Sequence, residues 1–171
     1  MEQNSLNNIL QNLSETLDKM ILTYKDIFVA AQEKQEHIIS GDIDKLESVI
    51  YQERNLAETI TLLEEKRRYI LRSANQTLGI KTDSTKLSDL IELIEDPYKS
   101  KLNDRYNILV EIIIKVEEVN KSNTTLTKYS LEYINNLIKS VCTESLNDNT
   151  YQQSGKFNQP DLHRLMFEVS A

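Results

Sequence analysis

LNNILQNLSETLDKMILTYKDIFVAAQEKQEHII, residues 6–39, sets an apolar side chain at Leu6, Leu10, Leu13, Leu17, Met20, Tyr24, Ile27, Ala31 and Ile38, and only Lys34 interrupts the series. The steps alternate strictly between four and three residues. A 3.5-residue period held for so long marks helices that pack side by side, because it keeps one stripe turned toward a neighbour. The spacing predicts a helix over 3–39. Ser40-Gly41-Asp42 then ends it and starts the next. Glycine tolerates the left-handed conformation that closes a helix, and Asp42 suits an N-cap, with Asp44 favourable in the first turn. So short a link turns the second helix back along the first.

That second helix is expected over 43–78. Two heptad lines run along it: Ile43, Ile50, Ala57, Glu64, Leu71, Leu78, and Val49, Leu56, Leu63, Ile70, with Leu46, Ile60 and Ala74 widening the stripe. Gly79 followed by apolar Ile80 resembles a Schellman ending. Thr82-Asp83-Ser84-Thr85 offers caps for a short helix near 84–95 carrying Leu87, Leu90, Ile91 and Ile94. Asp96-Pro97 suits a helix start, since proline's missing N–H costs nothing at the first position. The last long helix is expected over 97–145. Leu102, Leu109, Val116, Asn123, Ser130 and Leu137 recur every seven residues, as do Ile112, Val119, Leu126 and Tyr133. Its first half is apolar on the seam, whereas Asn120, Asn123 and Ser130 place polar groups on the second.

The fold class read from this pattern is all-α: an elongated antiparallel coiled-coil bundle of three long helices, a bundle domain over 1–145 and a flexible C-terminal tail over 146–171. The tail is polar and helix-poor through Asn147-Asp148-Asn149-Thr150 and Gln152-Gln153-Ser154-Gly155. It ends with Leu162, Leu165, Met166 and Val169 at helical spacing, a small apolar face too short to hold a helix alone. Three readings of that face stand side by side: folding back on the bundle, disorder without function, and folding onto a partner.

Composition narrows the function classes. A formal net charge of −7 argues against a general binder of nucleic acid or anionic membranes, both of which favour basic faces. The one cysteine, Cys142, can form no internal disulfide and fits a reduced, cytosolic setting. The N-terminus is neither basic nor followed by an apolar run, so no signal peptide is expected. The most apolar stretch, residues 108–119, holds Glu111, Lys115, Glu117 and Glu118 and is too short and charged to span a bilayer.

Catalytic, metal and cofactor residues are expected to be absent. Glu33 and His37 lie one helical turn apart, but a di-metal bundle needs a Glu-x-x-His motif on each of two helices, and this chain has none. Glycines never cluster into a phosphate loop, and Cys142 has no histidine within local reach. The charge run Glu64-Glu65-Lys66-Arg67-Arg68 reads as a solvated helix face with i, i+3 and i, i+4 pairs. Asn120 and Asn123 leave two readings open. They either fix the register of the bundle or mark an incomplete face turned toward a partner.

Glu53-x-x-Leu56, Leu63-Glu64-x-x-Arg67, Asn120-x-x-Asn123-x-x-Leu126 and Tyr151-x-x-x-Gly155, in this order and spacing, resemble FlgN-type flagellar export chaperones over nearly the whole chain. The resemblance implies a cytosolic helical protein that holds the flagellar hook-associated junction proteins before type III secretion and delivers them to the export gate. It implies client binding by Asn120, Asn123, Leu126, Ser130 and Tyr133 together with the tail residues Leu162, Leu165, Met166 and Val169. It implies gate docking by Tyr151, with Gly155 beside it in the motif. The apolar ending Leu165-Met166-Phe167-Glu168-Val169 departs from the basic endings of some relatives. The alternative is a structural coiled-coil adaptor or spacer that forms homo-oligomers through its heptads. Neither reading involves nucleic acid or membrane insertion.

Overall fold

The computed structural model describes residues 2–80 and 86–147, with side chains over 5–80 and 86–142. Four helices follow one another: α1 (Glu2–Ser40), α2 (Ile43–Thr77), α3 (Leu87–Leu93) and α4 (Tyr98–Asn147). No strand occurs among the described residues, and the all-α expectation holds. Packing divides the chain into two units, Met1–Leu126 and Thr127–Ala171.

In the first unit α1 is the central element. Every residue of its heptad series from Leu6 to Ile38 is buried or half-buried, including Lys34. A second buried line, Thr16, Thr23 and Ala30, also repeats every seven residues. Burying the two threonines is tolerable because each hydroxyl bonds back into its own helix, Thr16 Oγ1 to the Asn12 carbonyl at 2.8 Å and Thr23 Oγ1 to that of Lys19 at 2.9 Å. Two buried lines give α1 a face wide enough for two neighbours. Leu10, Leu13 and Leu17 join Ile70 and Leu71 of α2, Leu90 of α3 and Leu102 of α4 in one apolar cluster.

Contacts fix how the neighbours run. Lys34 meets Glu53, while Tyr24, further back in α1, lies near Glu64 and Arg67, further on in α2. The α4 pairs instead advance with α1: Gln11 with Lys101, Asp18 with Arg105, Ala31 with Asn123.

The junctions follow the chemistry of their residues. Gly41 takes φ 70°, and the Asp42 N–H donates to the His37 carbonyl at 3.2 Å. Asp42 then caps α2, its carboxylate accepting the Lys45 N–H at 3.2 Å. The Lys45 side chain also pairs with it, and the two interactions hold the carboxyl below its ordinary pKa. Gly79 takes φ 67° and completes the expected Schellman ending. Its N–H reaches the Gln76 carbonyl at 3.1 Å, and Ile80 N–H reaches that of Asn75 at 2.9 Å.

Three expectations are corrected. Pro97 lies one residue before α4, not at its first position. The start is organised by Asp96, whose Oδ1 accepts from the Ser100 N–H at 3.0 Å and the Ser100 hydroxyl at 2.6 Å. Ile43, Ile50 and Ala57 are exposed, although the heptad line placed them on the stripe. The covered strip in that half of α2 is the narrower one through Leu46, Val49, Leu56 and Ile60, so the outer heptad line has nothing over it. The charge run is not wholly solvated either: Glu64 and Arg67 turn inward, while Glu65, Lys66 and Arg68 stay exposed. The expected caps at 82–85 and the tail from 148 lie outside the described residues.

Candidate functional site

Lys34, the one residue that breaks the α1 heptad, is where three helices meet through polar groups. Its Nζ donates to Glu53 Oε2 of α2 at 2.6 Å and to Asn120 Oδ1 of α4 at 3.2 Å. A charge survives at a seam position because a carboxylate and an amide carbonyl from two other helices converge on it. One turn back, Asn123 is buried and its Nδ2 donates to the Ala31 carbonyl at 2.7 Å. At the edge, Gln35 Nε2 donates to Ser122 Oγ at 2.8 Å. Asn120 and Asn123 are therefore engaged inside the first unit. Polar groups that find partners at one alignment only favour the register reading of this pair.

A cavity of about 550 Å³ opens in the same unit, lined by Met20, Tyr24, Glu64, Arg67, Leu87 and Ile113 among others. Arg67 grips Glu64 with both ends of its fork, Nε to Oε2 at 2.7 Å and Nη2 to Oε1 at 2.6 Å. Arg68 Nε adds a contact to Oε1 at 3.1 Å. The Arg67 hydrogen bonds hold the Glu64 carboxyl below its ordinary pKa. Burial, assisted by the Glu64 charge, pushes the Tyr24 phenol up. Among the described residues no group of three or more His, Cys, Asp and Glu is placed to hold a metal. No described helix is long and apolar enough to cross a membrane.

The feature without a structural explanation lies in the second unit. Along α4 one heptad line is buried at Leu102 (0% exposed), Leu109 (7%), Val116 (8%) and Asn123 (3%). The same line then reaches half-buried Ser130 and exposed Leu137 (47%). The companion line runs from buried Ile112 through half-buried Val119 and Leu126 to exposed Tyr133 (65%). Around these lie Leu131, Ile134, Ile138 and Val141, all exposed. At about 100° per residue, Ser130, Leu131, Tyr133, Ile134, Leu137, Ile138 and Val141 share less than half the circumference. Lys128, Glu132, Asn135, Asn136 and Lys139 occupy the other side. The segment is thus amphipathic with its apolar side bare.

Of the residues implied in client binding, Leu126 is half-buried in the first unit, and Ser130 and Tyr133 lie on the bare face. Leu162, Leu165, Met166, Val169, Tyr151 and Gly155 lie outside the described residues. Leu131, Ile134, Leu137, Ile138 and Val141 were not singled out as binding residues, although a signal existed. The third predicted helix is about a dozen residues longer than either partner, so its last turns outrun any cover they supply.

The family described as FlgN protein matches residues 1–159. The uncharacterized protein YvyG of Bacillus subtilis (strain 168) is 23% identical over 158 residues, which are 92% of this chain and 96% of that protein. No solved structure matches the chain.

Proposed function

The chain belongs to the FlgN family, which implies a flagellar export chaperone role, and we propose that it is a cytoplasmic type III export chaperone whose clients are the hook–filament junction proteins. α1, α2 and the first-unit part of α4 form the antiparallel coiled-coil scaffold in this reading. The bare α4 face through Ser130, Tyr133, Ile134, Leu137, Ile138 and Val141 holds the client. The observation that carries the reading is the passage of one heptad line from buried to exposed within a single helix.

A junction protein whose terminal segment becomes a packed helix only in the finished filament must cover that segment's apolar side beforehand. A helix laid against anchors at i, i+3, i+4 and i+7 is a recurrent solution. Covering one large apolar side chain contributes roughly 1.5–3 kcal/mol, and partial cover of Tyr133, Ile134, Leu137, Ile138 and Val141 together outweighs the cost of association. The resulting affinity is moderate, which suits a complex that must come apart at the export gate. Tyr151 and Gly155 are assigned to gate docking on the family resemblance.

Co-purification tests the reading. The full chain, expressed with the junction proteins of the same genome, is expected to retain at least one of them through size exclusion and to remain a single copy when alone. Self-association through α4 without client capture would favour the adaptor or spacer.

A further inference from the structure

We infer that the bare α4 face takes two helical segments of one client molecule side by side, seated by apolar contact without charge pairing; the inference rests on the client-binding reading above. The width of the face carries it. At about 100° per residue, Leu131 and Tyr133 lie roughly 160° apart, and Ser130, Ile134, Leu137, Ile138 and Val141 fall between them. All but half-buried Ser130 are exposed. The first unit shows how wide a strip each neighbour covers. Over residues 46–60 of α2, which packs on α1, the buried and half-buried residues Leu46, Val49, Glu53, Leu56 and Ile60 span about 80°. Over residues 13–23 of α1, which meets both α2 and α4, the buried residues span about 180°. The bare face therefore has the width of a two-neighbour face.

A helix laid along one edge of the face leaves the other edge bare. One centred over Leu137 and Val141 leaves Leu131 and Tyr133 uncovered on either side. Two helices, one on each side of the Leu137 and Val141 line, cover all seven positions. The borders set the kind of helix. Within residues 129–142 the charged residues are Glu132 and Lys139, and both lie opposite the centre of the face. Tyr129, Asn136 and Ser140 border it beyond Tyr133, and Asn135 and Cys142 border it beyond Leu131. These uncharged borders give a client no charge to pair with, so selection rests on the apolar contour. The matching partner is a pair of amphipathic segments with anchors at i, i+3 and i+4. Each strip offers three or four anchors, too few to hold an independent second molecule beside the first. A segment tethered to one already bound meets its strip at an effective concentration in the millimolar range, and the cost of association arises only once.

Edge substitutions in the full chain, titrated calorimetrically against the captured junction protein, test the inference. Leu131→Asp and Tyr133→Asp are each expected to lower client affinity about tenfold or more, and Lys139→Glu, on the opposite side, to leave it within about twofold. All three side chains are exposed, so the melting temperature is expected to stay within a few degrees of the parent's. Raising the salt from about 50 to about 500 mM is expected to change affinity by less than about threefold. Light scattering is expected to give one chaperone with one client. An effect at one edge alone would overturn the two-segment seat, as would two copies of either protein in the complex. A tenfold loss of affinity at high salt would overturn the charge-free contact. Leu137→Asp with Ile138→Asp separates this inference from the client reading. If that double variant binds as the parent does, or no junction protein is captured at all, the client reading and the inference fall together. Loss of binding in the double variant with one silent edge keeps the α4 site and removes only the second segment.

Discussion

Leu137→Asp combined with Ile138→Asp is expected to lower client affinity at least ~100-fold while moving the melting temperature by only a few degrees. Both side chains are exposed on α4, so no core contact is lost. Their removal as anchors and the placement of two carboxylates in a desolvated contact cost roughly 3–5 kcal/mol, or about two to four powers of ten. Asparagine-to-serine changes on the opposite side, at Asn135 and Asn136, are expected to leave affinity within about twofold. Calorimetric titration against the captured junction protein reads the first effect, and thermal unfolding reads the second. Full affinity in the doubly charged variant would place the client elsewhere.

The second large effect concerns stability. Lys34→Ala is expected to destabilise the fold by about 2–3 kcal/mol, read as a shift of the urea midpoint. The substitution removes the donor shared by Glu53 and Asn120. It leaves a half-buried carboxylate, whose Oε1 already has no hydrogen-bond partner, without its counter-charge. Breaking one side of such a pair costs more than replacing both sides, since a lone charge stays behind. Lys34→Met with Glu53→Met is therefore expected to recover most of the loss. The double variant gives up the polar check on register, so an increase in alternative oligomers on size exclusion is expected with it. A single variant as stable as the parent chain would show that the three-helix node does not hold the bundle.

The long helices and their joints were legible because each rests on local chemistry. Gly41 and Gly79 supply the left-handed residues, Asp42 supplies a cap, and Leu6 to Ile38 supply the period. Burial was less legible because a heptad line says only that a face is apolar. Whether a neighbour reaches that face depends on the rest of the fold. Ile43 and Ile50 show this in α2, and Leu137 shows it in α4. Thr16 and Thr23 show the converse, polar residues buried because their hydroxyls are satisfied within the helix. Asn123 stands out in the sequence by its polar seam position, but its bond to the Ala31 carbonyl joins residues that no local spacing connects. Lys34 was visible as a flaw in the pattern. Its meaning lay in Glu53 and Asn120, which no local spacing connects to it.

Hydrogen–deuterium exchange of the full chain with and without a bound junction protein tests the central claim most directly. Added protection is expected in peptides covering 130–141, with little change in those covering α1 from Leu10 to Tyr24, whose amides already lie in the packed core. Protection gained on α1 or α2 with residues 130–141 unchanged would contradict the claim that the bare face of α4 is where the client is held.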